Sequence, residues 1–95
     1  MKKAGEKYSN GQNVSKQKDD ILTYYFIDGR IKAQGKFING VMQGKWIFNK
    51  KEGYLWQVGY FDDQGKQHDT WVVYSKDGSV EKEKHFEHGK KLQDS

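Results

Sequence analysis

From Leu22 onward, apolar and polar residues alternate with a period of two, and glycines interrupt the alternation every few positions. A helix needs apolar residues three and four apart and tolerates glycine badly, so this texture predicts strands. Residues 22–27 with 30–38, 45–51 with 54–61, and 70–76 with 79–86 read as strand pairs hinged on Asp28-Gly29, Glu52-Gly53 and Asp77-Gly78. Asp-Gly between alternating runs predicts a two-residue type I′ hairpin turn, which requires positive φ at both central residues. Glu-Gly is the weaker form of that signal, because Glu enters the left-handed region reluctantly.

The three hinges share a pattern of offsets. Seven residues before the glycines stand Leu22, Trp46 and Trp71; two after stand Ile31, Leu55 and Val80; eight after stand Phe37, Phe61 and Phe86. Six after come Gly35, Gly59 and, as a departure, Lys84. Eleven after come Gly40 and Gly89, whereas the middle copy has Gly65 one place later. These coincidences predict an all-β fold: a single curved antiparallel meander of about six strands, made from three β-hairpin units of about 24 residues. The units span 22–44, 45–69 and 70–92 within a repeat domain of residues 21–95. Residues 1–20 are polar, with Tyr8 and Val14 their main apolar side chains, and read as a flexible tail.

Counting outward from two-residue turns places Leu22 opposite Gly35 and Trp46 opposite Gly59, where an indole covers the bare backbone. Trp71 falls opposite Lys84, so the third hairpin is expected to be looser on that face.

Gly44-Lys45-Trp46, Phe48, Gly53, Leu55, Phe61 and Gly65 resemble the bacterial variant of the MORN repeat, as do Phe37-Ile38-Asn39-Gly40 and, in the next copy, Trp71, Tyr74, Asp77-Gly78 and Phe86–Gly89. Asp69 and Asp20 stand in the glycine slots, and Leu22 replaces the first tryptophan. The resemblance covers residues 22–92. It is similar to the YwqK family, commonly labelled antitoxins, which implies a non-enzymatic recognition role. Eukaryotic MORN proteins are associated with membranes and phospholipids, which makes lipid-surface association an alternative.

Strict alternation sorts the side chains onto two faces. One collects Leu22, Tyr24, Phe26, Ile31, Phe37, Trp46, Phe48, Leu55, Phe61, Trp71, Val73, Val80 and Phe86, and is the expected core. The other carries Tyr25, Ile47, Tyr54, Trp56, Val58, Tyr60 and Tyr74 beside Lys32, Lys36, Lys45, Glu81 and Glu83. Large rings with a polar rim are typical of recognition surfaces, so those seven residues are the candidate binding site and Trp56 its anchor.

Composition narrows the chemistry. Aromatics make up 15% of the chain against 34% hydrophobic residues overall, which suits a pleated sheet. There is no cysteine, so no disulfide and no thiol nucleophile. The net charge of +4 comes from interspersed signs and Arg30 is the sole arginine, so nucleic acid is not an expected partner. No apolar run reaches the roughly 18 residues of a membrane helix. Met1-Lys2-Lys3 has no apolar stretch after it, so the chain reads as cytoplasmic unless a leader has been removed. His85 and His88, with His68 and Asp69, lack a metal-binding frame on a strand end. Ser75 and Ser79 lack a linked histidine base. Asp62-Asp63, Glu81 and Glu83 read as solvated turn and strand positions, and Lys50-Lys51 and Lys90-Lys91 as edge charges. No catalytic residue, cofactor site or metal site is expected. The expected partner is another protein, toxin-like or a component of an assembly, with a homodimer as the alternative.

Overall fold

A computed structural model describes residues 6–92. Eight strands follow one another: β1 (Ser15–Lys18), β2 (Ile21–Tyr25), β3 (Ile31–Ile38), β4 (Val41–Asn49), β5 (Leu55–Phe61), β6 (Gln67–Tyr74), β7 (Val80–Glu87) and β8 (Lys90–Lys91). They form one open antiparallel sheet in which spatial order equals chain order. No helix occurs among the described residues, hence none long and apolar enough to cross a membrane.

Two of the eight strands, β1 and β8, lie outside the expected six. Strand β1 pairs antiparallel with β2, from Ser15 opposite Tyr24 to Lys18 opposite Ile21. The segment expected as a flexible tail is thus part of the sheet from residue 15, and Val14 and Ser15 are buried. Residues 6–14 fold back beside it: Lys7 bridges Asn13, and the Tyr8 hydroxyl donates to the Tyr25 carbonyl at 2.7 Å. Backbone pairing asks nothing of a strand's polarity, which is why Ser-Lys-Gln-Lys can occupy a sheet edge. Residues 1–5 of the expected tail lie outside the described residues.

The hinge turns differ in type from the expectation. At Phe26–Arg30, Lys50–Tyr54 and Ser75–Ser79, the glycine N–H donates to the carbonyl three residues back, and the first residue's N–H donates to the carbonyl of the fifth. This is a three-residue loop, a type I turn followed by a glycine in the left-handed region. Only Gly29, Gly53 and Gly78 have positive φ there; Asp28, Glu52 and Asp77 do not. The aspartates act through their side chains instead, Asp28 and Asp77 each accepting the N–H of the residue after glycine at 2.9 and 3.0 Å. Turns with two positive φ values join other strands: Asn39-Gly40 links β3 to β4 and His88-Gly89 links β7 to β8. The corresponding β5–β6 connection is a three-residue loop, Asp62–Lys66, which accounts for the displaced Gly65.

Register follows the expectation at the glycines and breaks it at bulges. Leu22 pairs with Gly35, Trp46 with Gly59, and Trp71 with Lys84. Each hinge then has one unpaired residue three after its glycine: Lys32, Trp56 and Glu81 are skipped between successive pairs. A bulge of this kind re-aims side chains and ends strict alternation.

The core runs along one face. Trp46 is wholly buried against Leu22 and Ala33, with Tyr24, Phe37, Met42, Phe48 and Phe61 packed around it. Rings continue along the sheet: Trp46–Phe48 at 6.2 Å, Phe48–Trp71 at 5.7 Å and Phe61–Trp71 edge-on at 5.2 Å between centroids. Offset and edge-on pairs of this sort stabilise beyond simple burial. Leu55 and Val80, expected in the core, are exposed because each stands at a strand start beside a bulge.

The glycines under the indoles come from the preceding hairpin. A Cβ on Gly35 would overlap the Trp46 indole, and one on Gly59 would overlap the Trp71 indole. Each indole Nε1 donates to the carbonyl after that glycine, Trp46 to Lys36 at 2.8 Å and Trp71 to Tyr60 at 3.0 Å. The expected looseness of Trp71 is therefore corrected. Lys84 faces it on one side, but Gly59 lies beneath it on the other, and it is only 4% exposed.

Candidate functional site

The bulges gather the candidate site. A cleft of about 580 Å³ opens where the hinge ends of β2 to β5 converge. Tyr24 and Tyr25 end β2, Lys32 is the bulged residue of β3 with Ala33 next to it, Phe48 and Asn49 end β4, and Trp56 is the bulged residue of β5. Tyr8 and Val14 add a wall from the N-terminal segment. The volume falls within the range of ligand-sized sites, and the lining is apolar and aromatic with a few polar groups, the usual composition of such sites.

The polar groups favour an acceptor. Lys32 is exposed, lines the cleft and forms no ion pair among the described residues. A second ammonium, Lys50 Nζ, stands 4.4 Å from the centroid of the Trp56 ring. The Tyr24 and Tyr25 hydroxyls make no hydrogen bond among the described residues, and no carboxylate lines the cleft. Asn49 is held in place by its Nδ2, which donates to the Ile31 carbonyl at 3.0 Å.

The seven residues expected as one surface are divided. Tyr25 and Trp56 meet in the cleft, on the same hollow as Tyr24 and Phe48 of the core face. Ile47 and Val58 are cross-strand partners, continued by Val72, in a half-buried apolar row. Tyr60 is 37% exposed opposite Lys45 and His68. Tyr54 precedes β5 and its carbonyl closes the Lys50 turn, while Tyr74 ends β6 opposite Val80. Tyr54, Tyr60 and Tyr74 do not line the cleft. Alternation alone put Trp56 beside them; the unpaired position at the bulge removes it. Tyr8 and Val14 were visible in the sequence as lone apolar residues in a polar segment, a signal that they have something to cover.

A second cluster lies at the opposite end of the strands. Asp62 is buried within its turn, accepting from the N–H groups of Gln64 and Lys66 at 2.9 Å and meeting His88 Nδ1 at 2.7 Å. The Lys66 N–H first, and then the His88 side chain, hold its carboxyl at about 2, below the ordinary 3.8. It is thus not the solvated turn position expected from Asp62-Asp63. His68 stacks on His88 with centroids 4.4 Å apart and accepts the His88 backbone N–H on Nδ1 at 3.1 Å. His85 instead hydrogen-bonds with Thr70 at 3.1 Å. No group of three or more metal-ligating side chains forms among the described residues. The cluster fastens the β5–β6 turn to the β7–β8 turn.

No family model, curated protein or solved structure matches the chain.

Proposed function

We propose that the chain is a non-enzymatic recognition module of three MORN-like hairpin units that binds a partner protein through the hinge-end cleft, in the manner of an antitoxin or immunity protein. The observation that carries this reading is the position of Trp56. It is a large, half-buried ring released from strand pairing by a bulge, and it lines an apolar hollow. Aromatic anchors in such hollows dominate protein recognition, because they provide contact area at little entropic cost.

Self-association through a sheet edge gains less support. Beyond its short pairing with β8, β7 presents Val80–Lys84 as an open edge. Antiparallel continuation about a two-fold axis pairs residues of the same face. Lys82 and Lys84 would then meet lysines, and Glu81 and Glu83 glutamates, which is repulsive.

The test is selection of a displayed random-peptide library on the intact protein, repeated on Trp56→Ala. Enrichment that Trp56→Ala abolishes, with an unchanged circular dichroism spectrum, supports the reading. No enrichment on the intact protein, or enrichment indifferent to Trp56, overturns it.

A further inference from the structure

We infer that the cleft is specific for a partner segment in which an aromatic or branched aliphatic side chain is flanked by a carboxylate. This rests on the recognition role proposed above and adds the chemistry of the occupant.

The apolar half of the requirement comes from Phe48, Ala33, Val14 and the Trp56 ring, which give the hollow its apolar lining. The acidic half comes from charge. Among the described residues, Lys32 is the one charged side chain lining the cleft, and it has no carboxylate partner. Lys50 brings a second positive charge to the same indole. The hinge carboxylate of Asp28 is already engaged by Arg30 at 3.5 Å. Two cations whose printed contacts are aromatic rings, Lys32 over Phe26 at 5.9 Å and Lys50 over Trp56, and two phenol hydroxyls without a hydrogen bond among the described residues therefore stand beside an apolar floor.

An ammonium beside a low-dielectric hollow attracts an anion more strongly than one in open water, and a charge-assisted hydrogen bond is about twice as strong as a neutral one. A basic segment would meet like charge at Lys32 and Lys50, and a neutral apolar segment would leave both cations partly desolvated without compensation. The occupant with complementary charge is acidic. A peptide is favoured over a small acid because the cleft is open along the hinge ends of four strands, leaving room for the main chain to continue on either side.

The experiment uses blocked pentapeptides with the central sequence Glu-Phe-Glu, Gln-Phe-Gln, Lys-Phe-Lys or Glu-Ala-Glu, and phenylacetate as a small-acid control. Binding to the full chain is followed by amide and indole N–H chemical shifts. Glu-Phe-Glu should bind at least tenfold more tightly than each of the others, and Lys32→Glu should reverse the preference between Glu-Phe-Glu and Lys-Phe-Lys. Equal binding of the Glu, Gln and Lys peptides would overturn the acidic requirement while leaving the recognition role in place. Equal binding of Glu-Ala-Glu would overturn the apolar requirement. Phenylacetate binding as tightly as Glu-Phe-Glu would show that the site takes a small acid rather than a segment. If no peptide binds while library selection still enriches Trp56-dependent sequences, this inference fails and the recognition role stands; if both fail, the role itself is wrong.

Discussion

The Trp71 indole lies so close to Gly59 that a methyl group on that glycine would overlap its six-membered ring, and one on Gly35 would overlap the five-membered ring of Trp46. Neither glycine has a positive φ, so backbone freedom does not explain them. They are required because the indole needs their space. Gly35→Ala and Gly59→Ala should each destabilise by about 1–3 kcal/mol, the usual cost of overpacking. Urea titrations measure this, and a loss under half a kilocalorie in either variant would show that the indoles can move aside.

The two tryptophans should also be close to equivalent. Trp46→Ala and Trp71→Ala each remove a buried ring and strand one carbonyl, for a loss of roughly 3–5 kcal/mol in each case. Denaturant midpoints would contradict the arrangement if Trp71→Ala were the markedly milder change.

Asp69 has φ +66, the same value as Gly44, and both stand two residues before a tryptophan. An aspartate tolerates this conformation better than most residues but still bears strain. Asp69→Gly should therefore stabilise the fold by roughly 0.5–1 kcal/mol, after allowing for glycine's greater freedom when unfolded. The check is a rise in thermal midpoint, and a fall would mean that the hydrogen bond from Thr70 N–H to the Asp69 carboxylate outweighs the strain.

Asp62 links stability to acid. Its carboxyl is held at about 2 in the folded chain against an ordinary 3.8, so it contributes stability above 3.8 that is lost as pH falls from there toward 2. Asp62→Asn should lower stability at neutral pH and flatten the fall across that acidic window. Stability curves of equal slope for both proteins there would contradict the assignment.

Residues 6–18 should matter for folding. Removal of residues 1–20 takes away β1 and the side chains of Tyr8 and Val14, leaving the outer edge of β2 bare. A drop of about 5 °C or more in the melting midpoint is expected, which corresponds to roughly 1 kcal/mol for a domain of this size. An unchanged midpoint would show the segment to be an ornament on the sheet.

Much of the sheet was legible in the sequence. Gly29, Gly53 and Gly78 marked the hinges, and the pairings of Leu22, Trp46 and Trp71 followed by counting. That counting worked although the turn type was wrong. A third loop residue at each hinge and the bulge three after the glycine compensate in register. The bulge itself had no signal of its own, since Lys32, Trp56 and Glu81 share no chemistry. The face of Trp56, and with it the composition of the candidate site, depended on that unreadable residue. Strand β1 was hidden for another reason: an edge strand is held by backbone hydrogen bonds, and hydrophobic periodicity does not report them.

The placement of glycine and indole gives the sheet a direction. A hairpin emerging from the ribosome has its own ladder of hydrogen bonds, yet its glycine stays bare until the tryptophan of the following hairpin arrives to roof it. The pieces overlap like tiles laid from one end, each sealing the joint before it. Lys84 occupies the position that corresponds to Gly35 and Gly59, so the backbone there is not bare as it is beneath the two indoles. The tiling therefore closes itself at β7, where no bare glycine waits for a roof.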